Sequence, residues 1–315
     1  MKNIHSTQMK LVLIKLVTII CLGIFSLYHT QETERNKAYY KELLQKSTYN
    51  NRQGQNFPAF TYQSAQDKDL KELRIKYRLD SVAGKGSDIN KIKNLVTWMH
   101  MAVPHEDEEN LHLLTAQNII ETYKQKKLSQ GCYPLAIAMN EILLSMGFKS
   151  RIVICFSEDF KNPNGGHVIN SVYVPSLKKW IWADPQYNAY LKNEQGNFLS
   201  IAEVREYVTE GKPIFLNDNA DYHGEKIDLK DYMEDFMIEF LYRFISPIHS
   251  TFNSETRESG KILRYVELLP SNSNIPPKGT FETHKSNGIE VITYHTNNPD
   301  IFWGTKKIDF KKHKF

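Results

Sequence analysis

Three residues in one stretch of the chain have the types and the order to do covalent chemistry together. They are Cys132 in Gly131-Cys132-Tyr133-Pro134, His167 in Gly165-Gly166-His167, and Asp184 in Trp182-Ala183-Asp184-Pro185. A cysteine, a histidine and an aspartate can serve as nucleophile, base and the group that orients the base. A thiol attacks well only once ionised. A free cysteine has a pKa near ~8.5, and a helix N-terminus or a neighbouring imidazolium lowers it. The N–H groups of a helix start can also hydrogen-bond a tetrahedral oxyanion. The imidazole then takes the thiol proton and later gives one to the leaving amine. The carboxylate accepts from the far ring nitrogen and fixes the tautomer. Taken singly, each residue has a commoner structural explanation: a packing cysteine, a strand-start histidine, an Asp-Pro turn. The reading rests on the ordered set, each member at the end of an element and with glycine beside the Cys and the His.

The surrounding pattern supplies those elements. Leu135, Met139, Ile142, Leu143 and Met146 follow helical spacing from Cys132, with Pro134 in the first turn and Gly147 past the end, the usual Pro-start and Gly-stop arrangement. Arg151 to Phe156, His167 to Val174 and Trp180-Ile181-Trp182 read as strands, the last two joined by the turn Pro175 to Lys179. Two adjacent strands joined by a tight turn bring His167 and Asp184 close, and Gly165 and Gly166 are expected to leave room for substrate beside the ring. Upstream, Asp67 to Leu79 has helical spacing and Gly84-Lys85-Gly86 breaks it. Ser87 caps a helix bearing Ile89, Ile92, Leu95, Val96 and Met99, and Thr115 to Lys127 is another amphipathic helix. Downstream, Ile201 to Val208 reads as a short helix and Leu229 to Phe244 as a longer one. Leu263 to Leu269 and Ile289 to Tyr294 read as strands. Helices followed by strands predict an α+β fold, a nucleophile helix packed on an antiparallel sheet.

Composition sets the frame. The chain of 315 residues, 41% hydrophobic and 24% charged, is long enough for a sizeable core. Its formal charge of +4 owes much to Lys2, Lys10 and Lys15. Without these three lysines basic and acidic residues nearly balance, so no nucleic-acid partner is implied. Those lysines lie in an acid-free segment, residues 1–30, whose stretch from Leu16 to Tyr28 carries no charge. A basic start and a short apolar run predict a signal peptide or an N-terminal membrane anchor, hence an exported or membrane-anchored protein of the cell envelope. Of three cysteines, Cys21 lies in that segment and Cys155 in a strand, which leaves Cys132 as the reactive candidate. Three scattered cysteines make neither a disulfide framework nor a zinc site. His100, His105 and His112 lack metal-ligand spacing and are expected to be surface or packing histidines. Glu106 to Glu109 read as a solvated loop, and no metal or cofactor is called for.

Gly131-Cys132, Ala136, Leu143-Leu144, Gly147-Phe148 and Arg151 resemble the nucleophile helix of the transglutaminase-like superfamily. His167-Val168, Val172-Tyr173, Trp180 and Trp182-Ala183-Asp184-Pro185 are similar to its His and Asp strands. The resemblance implies a papain-like α+β core and a triad of Cys132, His167 and Asp184. It also implies a thioester acyl-enzyme formed from an amide of a protein or peptide substrate, with water or an amine as acceptor. Gln130 stands where many members have Gly. It is a candidate oxyanion donor by analogy with the upstream Gln of papain-like enzymes, which lies at a different spacing.

Four regions follow: residues 1–30 as the export or anchor segment, 31–84 as an N-terminal helical region and linker, 85–214 as the catalytic core, and 215–315 as a C-terminal α+β extension. The leading functional expectation is an exported thiol enzyme acting on amide bonds, a hydrolase or an acyltransferase. The alternative is a non-catalytic binding or scaffold module of the envelope that keeps the fold with an idle triad and works through a surface of the residues from 215 on, with Tyr232, Phe236, Trp303 and their neighbours.

Overall fold

A computed structural model describes residues 37–50, 57–107, 111–158, 165–273 and 281–304. The predicted export segment, the basic tail from Lys306 and the acidic pair Glu108-Glu109 lie outside these. The chain runs through helix α1 (37–46), strand β1 (Thr61–Tyr62), then α2 (Lys68–Lys76), α3 (Leu79–Ala83), α4 (Asp88–Ala102), α5 (Ala116–Lys126) and α6 (Cys132–Ser145). Next come β2 (Ser150–Phe156), β3 (Gly166–Val174), β4 (Lys179–Ala183), β5 (Leu191–Lys192), α7 (Ile201–Glu210) and the short strands β6 (Phe215–Leu216), β7 (Asp221–Tyr222) and β8 (Glu225–Lys226). After two irregular turns follow β9 (Arg243–Pro247), β10 (His249–Ser250), β11 (Ile262–Leu268), β12 (Phe281–Ser286), β13 (Ile289–Thr296) and α8 (Pro299–Trp303).

Seven strands form one sheet in the order β12-β13-β11-β9-β2-β3-β4. Every neighbouring pair is antiparallel except β11 and β13, which run parallel. The sheet continues without a break past residue 214, because β9 pairs directly with β2 and puts Phe244 opposite Cys155.

The central strands β2 and β3 are buried along nearly their whole length because both faces of the sheet are covered. Ile152, Ile154, Val168, Val172 and Ile181 point into a core shared with α2 to α6. Val153, Cys155, Ile169 and Trp182 point into a second core, filled from the far side by α1, α7, residues 232–241 and α8. Helix α4 starts where expected: Ser87 Oγ accepts from the Asn90 N–H, and Ile92, Leu95, Val96 and Met99 are buried. Thr115 caps α5 in the same way.

Helix α6 forms where its spacing predicts a helix and buries more than the face that the spacing marks. Pro134 to Ser145 are all buried, so the helix is enclosed on every side. Its polar residues survive there because each has a partner. Asn140 Nδ2 donates to Ser250 Oγ at 3.2 Å, and Ser145 Oγ donates to the Ile142 carbonyl at 2.7 Å. Glu141 accepts backbone N–H bonds from Ala116 at 2.7 Å and Asn253 at 2.8 Å, tying the start of α5 and the 251–254 turn to the central helix. Glu141→Ala would strand one buried and one half-buried N–H group, at roughly 1–3 kcal/mol each. A loss of about 3 kcal/mol is expected in urea denaturation, and a loss below about 1 kcal/mol would show that neither bond matters.

Leu229 to Phe244 is not the single helix that its spacing predicts. The segment makes a π turn over Lys230–Glu234, breaks at Phe236 (φ −129°, ψ −67°), makes a 3-10 turn over Met237–Leu241 and becomes β9. Its apolar residues mimic helical spacing, but Arg243–Pro247 are drawn into the gap between β2 and β11, and sheet pairing there overrides local preference.

Candidate active site

Cys132 opens α6 and is half-buried. Gly131, in the cap position, accepts the first helical bond from Leu135 at 3.2 Å. The first-turn N–H groups of a helix have no partner within it. Pro134 has no N–H, so the amides of Cys132 and Tyr133 are the donors beside the thiol, at the positive end of the helix dipole. Tyr133 also anchors this end: its hydroxyl donates to Glu255 Oε2 at 2.6 Å, and Tyr265 donates to the same oxygen at 2.7 Å.

His167 is the second residue of β3, directly opposite Cys155 on β2. Gly166 before it is a glycine for a reason other than substrate room. A Cβ there would sit 2.9 Å from the Phe156 ring and 3.0 Å from the Cys155 carbonyl, so the close approach of β2 and β3 requires it. The His167 ring is buried and lies edge-on to Phe236 at 5.0 Å and Tyr187 at 5.9 Å between centroids.

Asp184 follows β4 and is fully buried. Its main chain exchanges two hydrogen bonds with Ala189, at 2.9 and 3.0 Å, closing a tight loop. His167 Nε2 meets Asp184 Oδ2 at 2.7 Å. Tyr232 Oη donates to the same oxygen at 2.7 Å, and the Gln186 N–H donates to Oδ1 at 2.9 Å. The Cys132 thiol lies within hydrogen-bonding reach of the same imidazole. Because Asp184 holds Nε2, Nδ1 is the nitrogen left for sulfur. The structure therefore brings Cys132, His167 and Asp184 together.

Burial alone would push the imidazole toward its neutral form. The Asp184 charge and hydrogen bond, with the Cys132 thiol on the other side, outweigh it and hold His167 up at about 10. Such a histidine carries its proton at neutral pH, which sets a positive ring beside the thiol.

Gln130 is buried beside the site, and its Nε2 donates to the Leu128 carbonyl at 3.0 Å. One of its two amide protons is thus turned into its own loop. Its main chain is paired with the segment before α5: Gln130 N–H donates to the Pro104 carbonyl and Glu106 N–H to the Gln130 carbonyl, both at 3.1 Å.

Two of the histidines expected to be surface or packing residues pack close to this site. His100, on α4, places Nδ1 at 3.1 and 3.0 Å from the Pro185 and Gln186 carbonyls and Nε2 at 3.0 Å from Asp221, steadying the loop after Asp184. His105 is buried with Nδ1 at 3.0 Å from the Tyr222 hydroxyl. Desolvation pushes its pKa down, Asp107 opposes this, and the charge of His167 adds to it. His112 is exposed, and among the described residues no group of three His, Cys, Asp or Glu could hold a metal ion. Tyr232 (1% exposed) and Trp303 (8%) are core residues, and Phe236 packs on His167; none of the three forms an outward working surface. Nothing local in the sequence signals His100 or Tyr232. Tyr187, three residues past Asp184, was within reach of the motif.

Residues 76–185 match the family model described as the Transglutaminase-like superfamily. A search of curated proteins finds no match. Among solved structures, a Cytophaga hutchinsonii protein described provisionally as a cysteine protease shares 16% identity over 55% of this chain and 54% of that one, with a TM-score of 0.31. The chain thus spans about half the length of that protein. Residues 76–185, the stretch that holds Cys132, His167 and Asp184, form a transglutaminase-like superfamily domain of α+β class.

Proposed function

We propose that the chain is a thiol enzyme that opens amide bonds of a protein or peptide through a thioester on Cys132. The observation that carries this reading is the position of His167, which contacts Asp184 through one nitrogen and has the Cys132 thiol within reach of its ring. The sulfur anion attacks the amide carbonyl, and the carbonyl electrons move onto oxygen beside the Cys132 and Tyr133 amides. His167 gives its proton to the departing amine as the C–N bond breaks. Neutral His167 then takes a proton from water, whose oxygen attacks the thioester. The acid leaves and the thiolate–imidazolium pair is restored. Water is the acceptor in this reading because, among the described residues, none beside Cys132 marks a place for an amine. The basic and apolar residues 1–30 further support work at the outer side of a membrane.

The test is alkylation of Cys132 in the full chain by iodoacetamide across pH, with His167→Ala as control and peptide mapping to locate the label. At about pH 6 an ordinary thiol is under roughly one per cent ionised. Labelling at that pH about tenfold or more faster than in His167→Ala is expected. Labelling that rises only near pH ~8.5 and ignores the substitution would remove the catalytic reading and leave a binding module with this fold.

A further inference from the structure

Tyr232 lies outside the matched domain, on the turn between β8 and β9, yet its hydroxyl reaches the oxygen that His167 uses. Trp182 Nε1 in turn donates to the Tyr232 hydroxyl at 2.8 Å, so the O–H has one orientation, toward Asp184. The phenol is buried (1% exposed), and its ring packs edge-on against Trp182 at 6.2 Å and Tyr187 at 5.2 Å. Asp184 Oδ2 thus accepts two short bonds, one from the phenol and one from the imidazole.

We infer that Tyr232 is a positioning residue of the proposed reaction, which shares Asp184 Oδ2 with His167 and thereby limits how tightly the carboxylate holds the imidazole proton. This inference rests on the thiol-enzyme reading. A carboxylate with no competing donor would grip the imidazolium so strongly that His167 would be a poor acid toward the leaving amine. A second strong donor spreads the carboxylate charge. The arrangement also keeps the proton on Nε2, because Oδ2 already has two donors and Oδ1 has the Gln186 N–H. Among the described residues, few other titratable groups face the pair. They are Cys132 from α6, Cys155 across from His167 on β2, Tyr187 from the loop after Asp184, and His105 from the segment after α4. The side chains that hydrogen-bond Asp184 Oδ2 are His167 and Tyr232.

The test follows the His167 ring by NMR in the full chain labelled on histidine, assigned with His167→Ala, in wild type and Tyr232→Phe. Alkylation of Cys132 is measured in parallel. Losing the phenol donor is expected to move the His167 titration upward by about one pH unit, the scale of one charge-assisted hydrogen bond. A purely structural phenol predicts the opposite sign, since a loosened Asp184 would let the titration fall toward an ordinary histidine. Tyr232→Phe leaves the Trp182 N–H without its acceptor, so a second variant guards against misfolding. Site-specific 3,5-difluorotyrosine at position 232 is a stronger donor with the same contacts and is expected to move the titration downward. A titration that is unmoved in both variants, or lowered by Tyr232→Phe, overturns the role of Tyr232 while the wild-type thiol chemistry stands. A wild type without a raised His167 and without acid-side labelling of Cys132 overturns both readings.

Discussion

Asp184→Asn is expected to remove the positive charge from His167 at neutral pH and, in the thiol enzyme proposed above, to lower amide turnover by about 10⁴, the scale found when a triad carboxylate is made neutral. The local geometry dictates how the new amide sits. Oδ2 receives two donors, from His167 and Tyr232, and Oδ1 receives one, from the Gln186 N–H. The amide nitrogen will face the single donor, so Gln186 N–H loses its acceptor while Tyr232 and His167 keep theirs. What His167 loses is the charge. It is held up at about 10 against an ordinary value of 6.5, with burial working against the charged ring and Asp184 chiefly overcoming it. In Asp184→Asn burial is left nearly unopposed and the ring becomes neutral. The same change alters stability with a definite sign. Because the folded pKa is raised, the contribution of the His167 proton is complete below pH ~6.5 and is lost as pH rises through about 10. Each pH unit that separates the folded from the unfolded titration is worth ~1.4 kcal/mol, so Asp184→Asn should cost on the order of 3–5 kcal/mol near pH ~6 and much less near pH ~10. Urea denaturation of both proteins at the two pH values measures this. An equal cost at both would mean that the protonated ring does not stabilise the fold.

The three candidate residues were legible in the sequence because each sits at an element end marked by its own punctuation. Gly131 and Pro134 frame the start of α6, Gly166 opens β3, and Asp184-Pro185 closes β4. The α+β order was legible too, since α4, α5, α6 and β2 to β4 are local elements with clear periodicity. What was hidden is nonlocal. Tyr232 reads like any buried aromatic, and only the fold shows that a turn 48 residues from Asp184 supplies a donor to it. His100 reads as a helix residue, and its role depends on where the loop after Asp184 passes. Gly166 looked like space for substrate, whereas strand packing against Phe156 accounts for it. The apolar run that became β9 carried helical spacing, and its strand state depends on β2 and β11 offering free backbone on both sides.

The same nonlocality makes the second half of the chain part of the site. Glu267→Ala is therefore expected to do more than weaken a distant edge. Glu267 on β11 faces two cationic or cation-capable groups: it pairs with Arg243 on β9 through Oε1 and meets His295 Nδ1 on β13 at 2.8 Å through Oε2. All three residues are buried. Removing the carboxylate leaves a buried guanidinium without this counter-charge, a change that costs about 3–5 kcal/mol in comparable settings. β9 is the strand through which β11, β13 and β12 join β2, and β2 carries Cys155 opposite His167. The stretches that lead into β9 and β11 also reach the site, Tyr232 on Asp184 and Glu255 on Tyr133 beside Cys132. If the seven strands unfold as one unit, the urea midpoint read by tryptophan fluorescence and the midpoint read by exposure of Cys132 to alkylation should fall together in Glu267→Ala. A variant in which fluorescence shifts while the Cys132 transition stays at the wild-type midpoint would show that residues 76–185 hold their site without the C-terminal strands. The bonds from Tyr232 and Glu255 would then be accessories to a core that stands alone.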